Sequence, residues 1–182
     1  MLECVFSADV RAGLPGRDPA IMAANEQPLK LDVTIDIVAP VEVVFTAFFN
    51  APALGAWQGT TRSIAIPRLL GPYVLEWQAS TEVDDVLGRL GGVFRATVMN
   101  IEPNDHVFLA DAFWLPPDGG PLGPLAMQMT FTPTAVPDGA RSTMVRVVMT
   151  GFDNGVRWKR YLDHSTAGWQ RALGILKSLL ER

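Results

Sequence analysis

The sequence predicts an α+β fold: a curved antiparallel sheet wrapped around a long C-terminal helix, with two short helices between strands 1 and 2. Three observations carry this. Strict apolar–polar alternation begins at Leu29, six more strand-like runs follow a short helical stretch, and the closing segment Gly151–Arg182 keeps one helical period throughout.

Each element has its own signal. In "LKLDVTIDIVA", Leu31, Val33, Ile35 and Ile37 alternate with Asp32, Thr34 and Asp36, as a half-buried strand requires. Pro40 then suits the start of a helix, and Val41, Val44, Phe45 and Phe48 recur at helical spacing. "APALGAW" predicts a second short helix ending near Trp57. Strands are expected at "TRSIAIP", "GPYVLEWQAS", "GVFRATVMNIE", "HVFLADAFW", "LAMQMTFTP" and "RSTMVRVVMTG", mostly separated by loops rich in Gly, Pro, Asn or Asp. The longest connection, "TEVDDVLGRLGG", brings Val86 and Leu87 as a cover for a cavity mouth. In the last helix, at about 100° per residue, Trp158, Tyr161, Leu162, Ser165, Trp169, Ala172, Leu173, Leu176, Leu179 and Leu180 share one face. The charged residues, Lys159, Arg160, Asp163, Arg171 and Lys177 among them, take the other.

Strand pairing can be read from residue sums, which are constant across an antiparallel pair. Glu76 is expected opposite Arg95, Asp111 opposite Thr97 and Gln128, and Gln128 opposite Arg146, which forms a polar row on a solvated face. The inner face then presents Tyr73, Leu75, Trp77, Phe94, Ala96, Val98, Phe108, Ala110, Ala112, Trp114, Met127, Met129, Phe131, Val145, Val147 and Met149. Met99, Leu109, Phe113 and Val148 fall outside, on a surface suited equally to a partner protein and to a homodimer.

Composition removes several function classes. The chain is 48% hydrophobic and 19% charged, as a globular domain is, and a net charge of −4 without a basic cluster argues against nucleic acid or anionic membrane as partner. No apolar run reaches the ~18 residues that span a bilayer. The single cysteine, Cys4, excludes an internal disulfide, and His106 with His164 is too few for a histidine-rich metal site. No metal or cofactor is expected. Glu3 and Asp9 fall too early for a secretory signal, so a reducing, cytoplasmic setting is expected. Residues 1–28, punctuated by "GLPGRDP", read as a loosely ordered tail ahead of a single domain over 29–182, with Met22 as an alternative start.

The segments "IVAPVEVVFTAF", "GPYVLEW", "LGRLGGVFRATVMNIEPNDHVFLADAFW", "MTFTP" and "GFDNGVRWKRYLDHSTAGWQRAL" resemble the START-like helix-grip superfamily (SRPBCC). More narrowly, they resemble the single-domain bacterial form of the activator of heat-shock protein 90 ATPase homologue family. The resemblance covers residues 29–182 and implies a deep apolar cavity between the sheet and the last helix. It also implies relatives that bind lipids, hormones or polyketides, some of them cyclases or dehydratases. The eukaryotic activator has a second domain, and the resemblance implies a counterpart of only one of the two over residues 29–182.

On this basis the expected function is binding of a small apolar or aromatic ligand. The expected lining is Trp77, Phe94, Phe108, Ala110, Ala112, Trp114, Met127, Met129, Tyr161, Ser165 and Trp169. Alanines between bulky neighbours on the sheet leave the room, while Tyr161 and Ser165 give the polar handles. Alternatives are a cyclase- or dehydratase-like enzyme using the same cavity, with Tyr161 or a bound water as proton donor, and a chaperone-linked interaction module. His164 lies towards the polar side of its helix and His106 in the turn "PNDH", so both read as surface histidines. "GRLGG" lacks the glycine spacing of a phosphate cradle.

Overall fold

The computed structural model describes residues 28–135 and 139–182. Apart from Pro28, the expected N-terminal tail lies outside the described residues.

Strand β1 (Leu31–Ile37) buries Leu31, Val33 and Ile37 and leaves Asp32 and Thr34 in water, as the alternation requires. Pro40 caps the short helix α1 (Val41–Ala47) in extended geometry, and Val44 and Phe45 turn inward from it. Helix α2 (Ala51–Gln58) opens on Asn50, whose side-chain oxygen accepts the Ala53 N–H at 3.0 Å. It closes on Gly59 in the left-handed region, and its Trp57 is buried.

Seven strands form the main antiparallel sheet in the order β1-β9-β8-β7-β6-β3-β2. The remaining six are β2 (Arg62–Ala65), β3 (Pro72–Trp77), β6 (Gly92–Glu102), β7 (His106–Leu115), β8 (Leu122–Ala135) and β9 (Arg141–Thr150). The expected long connection contains a separate two-stranded ribbon, β4 (Val83–Asp84) and β5 (Gly88–Arg89). Within it Leu87 is buried while Val86 stays exposed. The sheet curls into a half-barrel, and helix α3 (Val156–Leu180) lies along its concave side.

The core joins α1 and α2 to that concave face through aromatic edges. Phe45 and Phe48 meet Phe131 edge-on at 5.2 and 5.0 Å, and Phe48 meets Trp57 at 4.8 Å. The buried hydroxyls of Ser142 and Thr143 on β9 donate to the carbonyls of Ile37 and Ala39, which fixes the β1–α1 corner.

The observed registers correct the expected ones. Arg95 pairs with Val74 rather than Glu76, and Gln128 with Val148 rather than Arg146. A shift of two keeps every side chain on its face, so Arg95, Gln128 and Arg146 remain outside. Arg146 finds Asp32 as its partner at 2.7 Å.

Strand β7 departs further. Leu109 pairs with Met127 and Ala112 with Leu125, so Ala110 and Asp111 together oppose Ala126. Asp111 takes φ +51°, a left-handed conformation that makes this a β-bulge. Before the bulge Val107 and Leu109 point inward; after it Ala112 and Trp114 do. Phe108 and Ala110 therefore belong to the outer face, beside Gln128 and Thr97, and Leu109 is fully buried rather than part of an outer patch. On that outer face Arg95 lies over the Phe113 ring at 4.7 Å and reaches Asp111 at 3.8 Å.

If the bulge sets the inner face, Asp111→Val should lower the free energy of unfolding by about 1–2 kcal/mol, the cost of a left-handed side-chain-bearing residue. Asp111→Gly should leave it nearly unchanged. Urea denaturation reads both; equal losses would mean that position 111 supplies its contact to Arg95 and not its backbone geometry.

Candidate functional site

A cleft of about 490 Å³ opens between α3 and the concave face. Its floor is Leu75 and Trp77 of β3, Phe94 of β6, Trp114 of β7 and Met149 of β9. One wall is the end of α2, Ala56 to Gly59, and the other is the base of the ribbon loop, Ser80, Leu90 and Gly91.

The aromatic floor is held by its own N–H groups. Trp77 donates to the Gln58 carbonyl at 2.8 Å, Trp114 to the Gly91 carbonyl at 2.8 Å, and Trp57 to the Ala47 carbonyl at 3.0 Å. Those indoles spend their donors on backbone, so what they offer the cleft is ring surface. Gly91 is needed for this: at φ +98° a Cβ would lie 2.3 Å from the Gln78 carbonyl oxygen.

The roof is α3, and there the side chains are small. Ser165, Gly168 and Ala172 follow one another at helical spacing along the cleft, with Tyr161 and Ile175 at its two ends. A Cβ added at Gly168 would meet nothing within 4 Å, so the helix stands clear of the sheet at that point. Contact resumes on either side. Tyr161 stacks on Trp114 at 4.9 Å and 7°, while Leu173 and Leu176 are buried where α3 packs along β1. Trp169 faces Trp57 at 6.2 Å.

Charges tie the N-terminal end of α3 to neighbouring loops. Arg160 clasps Asp84 of the ribbon at 2.6 Å, and Asp84 also accepts the N–H groups of Val86 and Leu87. The Arg160 guanidinium, helped by those N–H groups, holds the Asp84 carboxyl well below the usual carboxylate range. Arg89 grips Asp118 at 2.8 Å, and Arg157 donates to the Gly120 carbonyl, so ribbon, β7–β8 loop and helix are joined. Inside the cleft, burial pushes the Tyr161 hydroxyl upward, opposed by its hydrogen bond with Ser165. Burial, followed by the Arg171 guanidinium, lowers His164 from its ordinary 6.5, with Asp84 acting the other way.

Residues 38–181 match the family model described as activator of Hsp90 ATPase homolog 1-like protein. The chain belongs to that family. No curated protein matches the sequence. Among solved structures, protein MLL2253 from Mesorhizobium loti is similar at 23% identity and TM-score 0.59, over 85% of this chain and 98% of that one. Protein Ms6760 from Mycobacterium smegmatis is similar at 18% identity and TM-score 0.61, over 84% and 90% of the two chains. The Aha1 dimer from Colwellia psychrerythraea is similar at 16% identity and TM-score 0.56, over 84% and 96%. At these identities the likenesses show the fold, which is the helix-grip fold of the START-like superfamily. In general terms, this activator-like family and fold support a ligand-binding or chaperone-linked module. No helix among the described residues is long and apolar enough to cross a membrane.

Of the eleven residues expected to line a cavity, Trp77, Phe94, Trp114, Tyr161, Ser165 and Trp169 border the cleft of this activator-like domain. Ala112, Met127 and Met129 are buried in the solid core beyond it, and the β7 bulge turns Phe108 and Ala110 to the outer face. The room comes from Ser165, Gly168 and Ala172 on the helix and not from alanines on the sheet. His164, expected at the surface, is half-buried on the cleft side, and Arg171 borders the mouth. The helical period alone could have flagged Gly168, four residues from both His164 and Ala172. Nothing local in the sequence announces that Gln58 and Leu90 converge there.

The half-buried imidazole of His164 gives a pH signature. The unfolded chain takes up a proton near 6.5 while the fold resists doing so until lower pH. Stability is therefore fully present above about 6.5 and declines as pH falls from there through the lower folded midpoint. Imidazole titration by NMR should give a His164 midpoint below 6.5, and His164→Gln should remove that part of the decline. A midpoint at or above 6.5 would contradict the cleft-side burial.

Proposed function

We propose that this protein binds a small, mainly apolar aromatic molecule in the cleft beneath α3. The observation that carries the reading is the pairing of an aromatic floor, its indole donors already used, with a roof stripped of side chains at Gly168. A volume of about 490 Å³ lies within the range of small-molecule sites. Affinity would come from buried apolar area, at about 25 cal/mol per Å², and orientation from the Tyr161 and Ser165 hydroxyls.

A protein-interaction module, chaperone-linked or not, is the second reading. It is favoured by Ile64, Ile66, Leu69 and Leu70, which leave an exposed apolar patch at the β2–β3 edge. For self-association we favour the outer sheet face, where Met99 is exposed; the Colwellia relative is a dimer. A cyclase- or dehydratase-like reaction would rely on Tyr161 as proton donor. Burial makes that phenol a weaker acid, so this reading ranks third.

Gly168→Leu separates the readings that use the cleft from the interaction-surface reading. The first added carbon meets nothing within 4 Å, and leucine is the better helix former by up to about 1 kcal/mol, so the variant should fold with equal or greater stability. Saturable fluorescence enhancement of N-phenyl-1-naphthylamine, a neutral apolar probe, should disappear in it. Undiminished enhancement in a folded Gly168→Leu protein would move the binding site away from the cleft.

A further inference from the structure

The cleft is lopsided in charge. Its described lining contains no carboxylate, and Arg171 is its one permanently charged group. Three other cations of α3 are committed elsewhere: Arg160 to Asp84, Arg157 to the Gly120 carbonyl and Lys177 to Glu181. Arg171 makes no hydrogen bond or ion pair within the described residues. Two turns before it stands His164, seven residues and so about 20° away around the helix, bordering the same cleft. The indole N–H of Trp169, also in the lining, has no acceptor among the described residues either.

A ring of Trp faces without a charge would suit a neutral arene or a cation, since the face of an indole is electron-rich. A guanidinium at the mouth argues against the cation. It also gives an anion five N–H donors in a fork that fits a carboxylate or sulfonate. The protein as a whole carries a net charge of −4, so any preference for an anion has to arise locally.

We propose that the ligand is an amphipathic aromatic anion, with its rings between the indoles of Trp77, Trp114 and Trp169 and its acidic group at the mouth on Arg171. This rests on the cleft being the ligand site. The anion replaces the water around an exposed guanidinium, so the charge sets preference more than strength. The rings supply the affinity and the acid sets which end enters first. Ser165 and Tyr161, deeper under the helix, are left to meet a hydroxyl or carbonyl on the ring system.

The test compares two probes that differ by one group. 8-Anilino-1-naphthalenesulfonate carries the ring system of N-phenyl-1-naphthylamine plus a sulfonate, and a naphthylmethyl trimethylammonium serves as the cationic counterpart. At low salt the sulfonate should bind the whole protein on the order of fivefold more tightly than the neutral probe, as for an exposed ion pair. That advantage should vanish in Arg171→Gln, reverse in Arg171→Glu and shrink with added salt, while the neutral probe binds all three proteins alike. Equal affinity for the two probes, or tighter binding of the cation, with both still lost in Gly168→Leu, would overturn the charge inference and leave the cleft as the site. Probes that bind Gly168→Leu as well as the unaltered protein would overturn the site itself.

Discussion

One helix cannot fill the hollow of a seven-stranded sheet, and the consequences of that mismatch organise this molecule. Helix α3 runs 25 residues, roughly 37 Å at 1.5 Å per residue, over a sheet curled by bulges in β6, β7 and β8. Where the helix carries Leu173 and Leu176 the gap closes and the core is solid. At the other end the Tyr161–Trp114 stack closes it again. Between these grips Ser165, Gly168 and Ala172 are too small to reach the sheet, and the space left there is the cleft.

The polar groups around the cleft serve its shape more than its chemistry. Three indole N–H bonds to Gln58, Gly91 and Ala47 hold the aromatic rings edge-anchored, so that burying a ligand costs no unpaired donor at those rings. The ribbon that forms one wall is fastened differently, by the Asp84–Arg160 and Arg89–Asp118 pairs. Ion pairs whose guanidinium stays in water are screened and add little to stability. The aromatic floor is thus the rigid part of the site, and the ribbon wall is its least strongly held boundary.

Much of this could be read from the sequence because it depends on local periods. The alternation from Leu31 to Ile37 and the stripe from Tyr161 to Leu180 locate strand and helix, and they bring Trp77, Phe94, Trp114, Tyr161, Ser165 and Trp169 towards one another. The errors come from two non-local facts. A period of two assumes an unbroken ladder, and the left-handed Asp111 breaks it; the rule that places Trp114 correctly therefore sends Phe108 and Ala110 to the wrong face. A void also depends on what the facing element omits. The sheet alanines look like the source of space, yet Ala112 is fully packed and the missing volume belongs to Gly168. Likewise His164 sits near the polar side of its own helix, and only the approach of the floor and ribbon makes that flank an inner wall.

Small residues on α3 keep a ligand-sized space open above the indoles. Intermolecular NOEs between N-phenyl-1-naphthylamine and methyl-labelled protein test this most directly. Contacts are expected from the naphthyl protons to the Met149 ε-methyl, the Ala172 methyl and the Ile175 methyls, all of which border the cleft. Contacts confined to the exposed Leu69, Leu70 or Met99 methyls would contradict this.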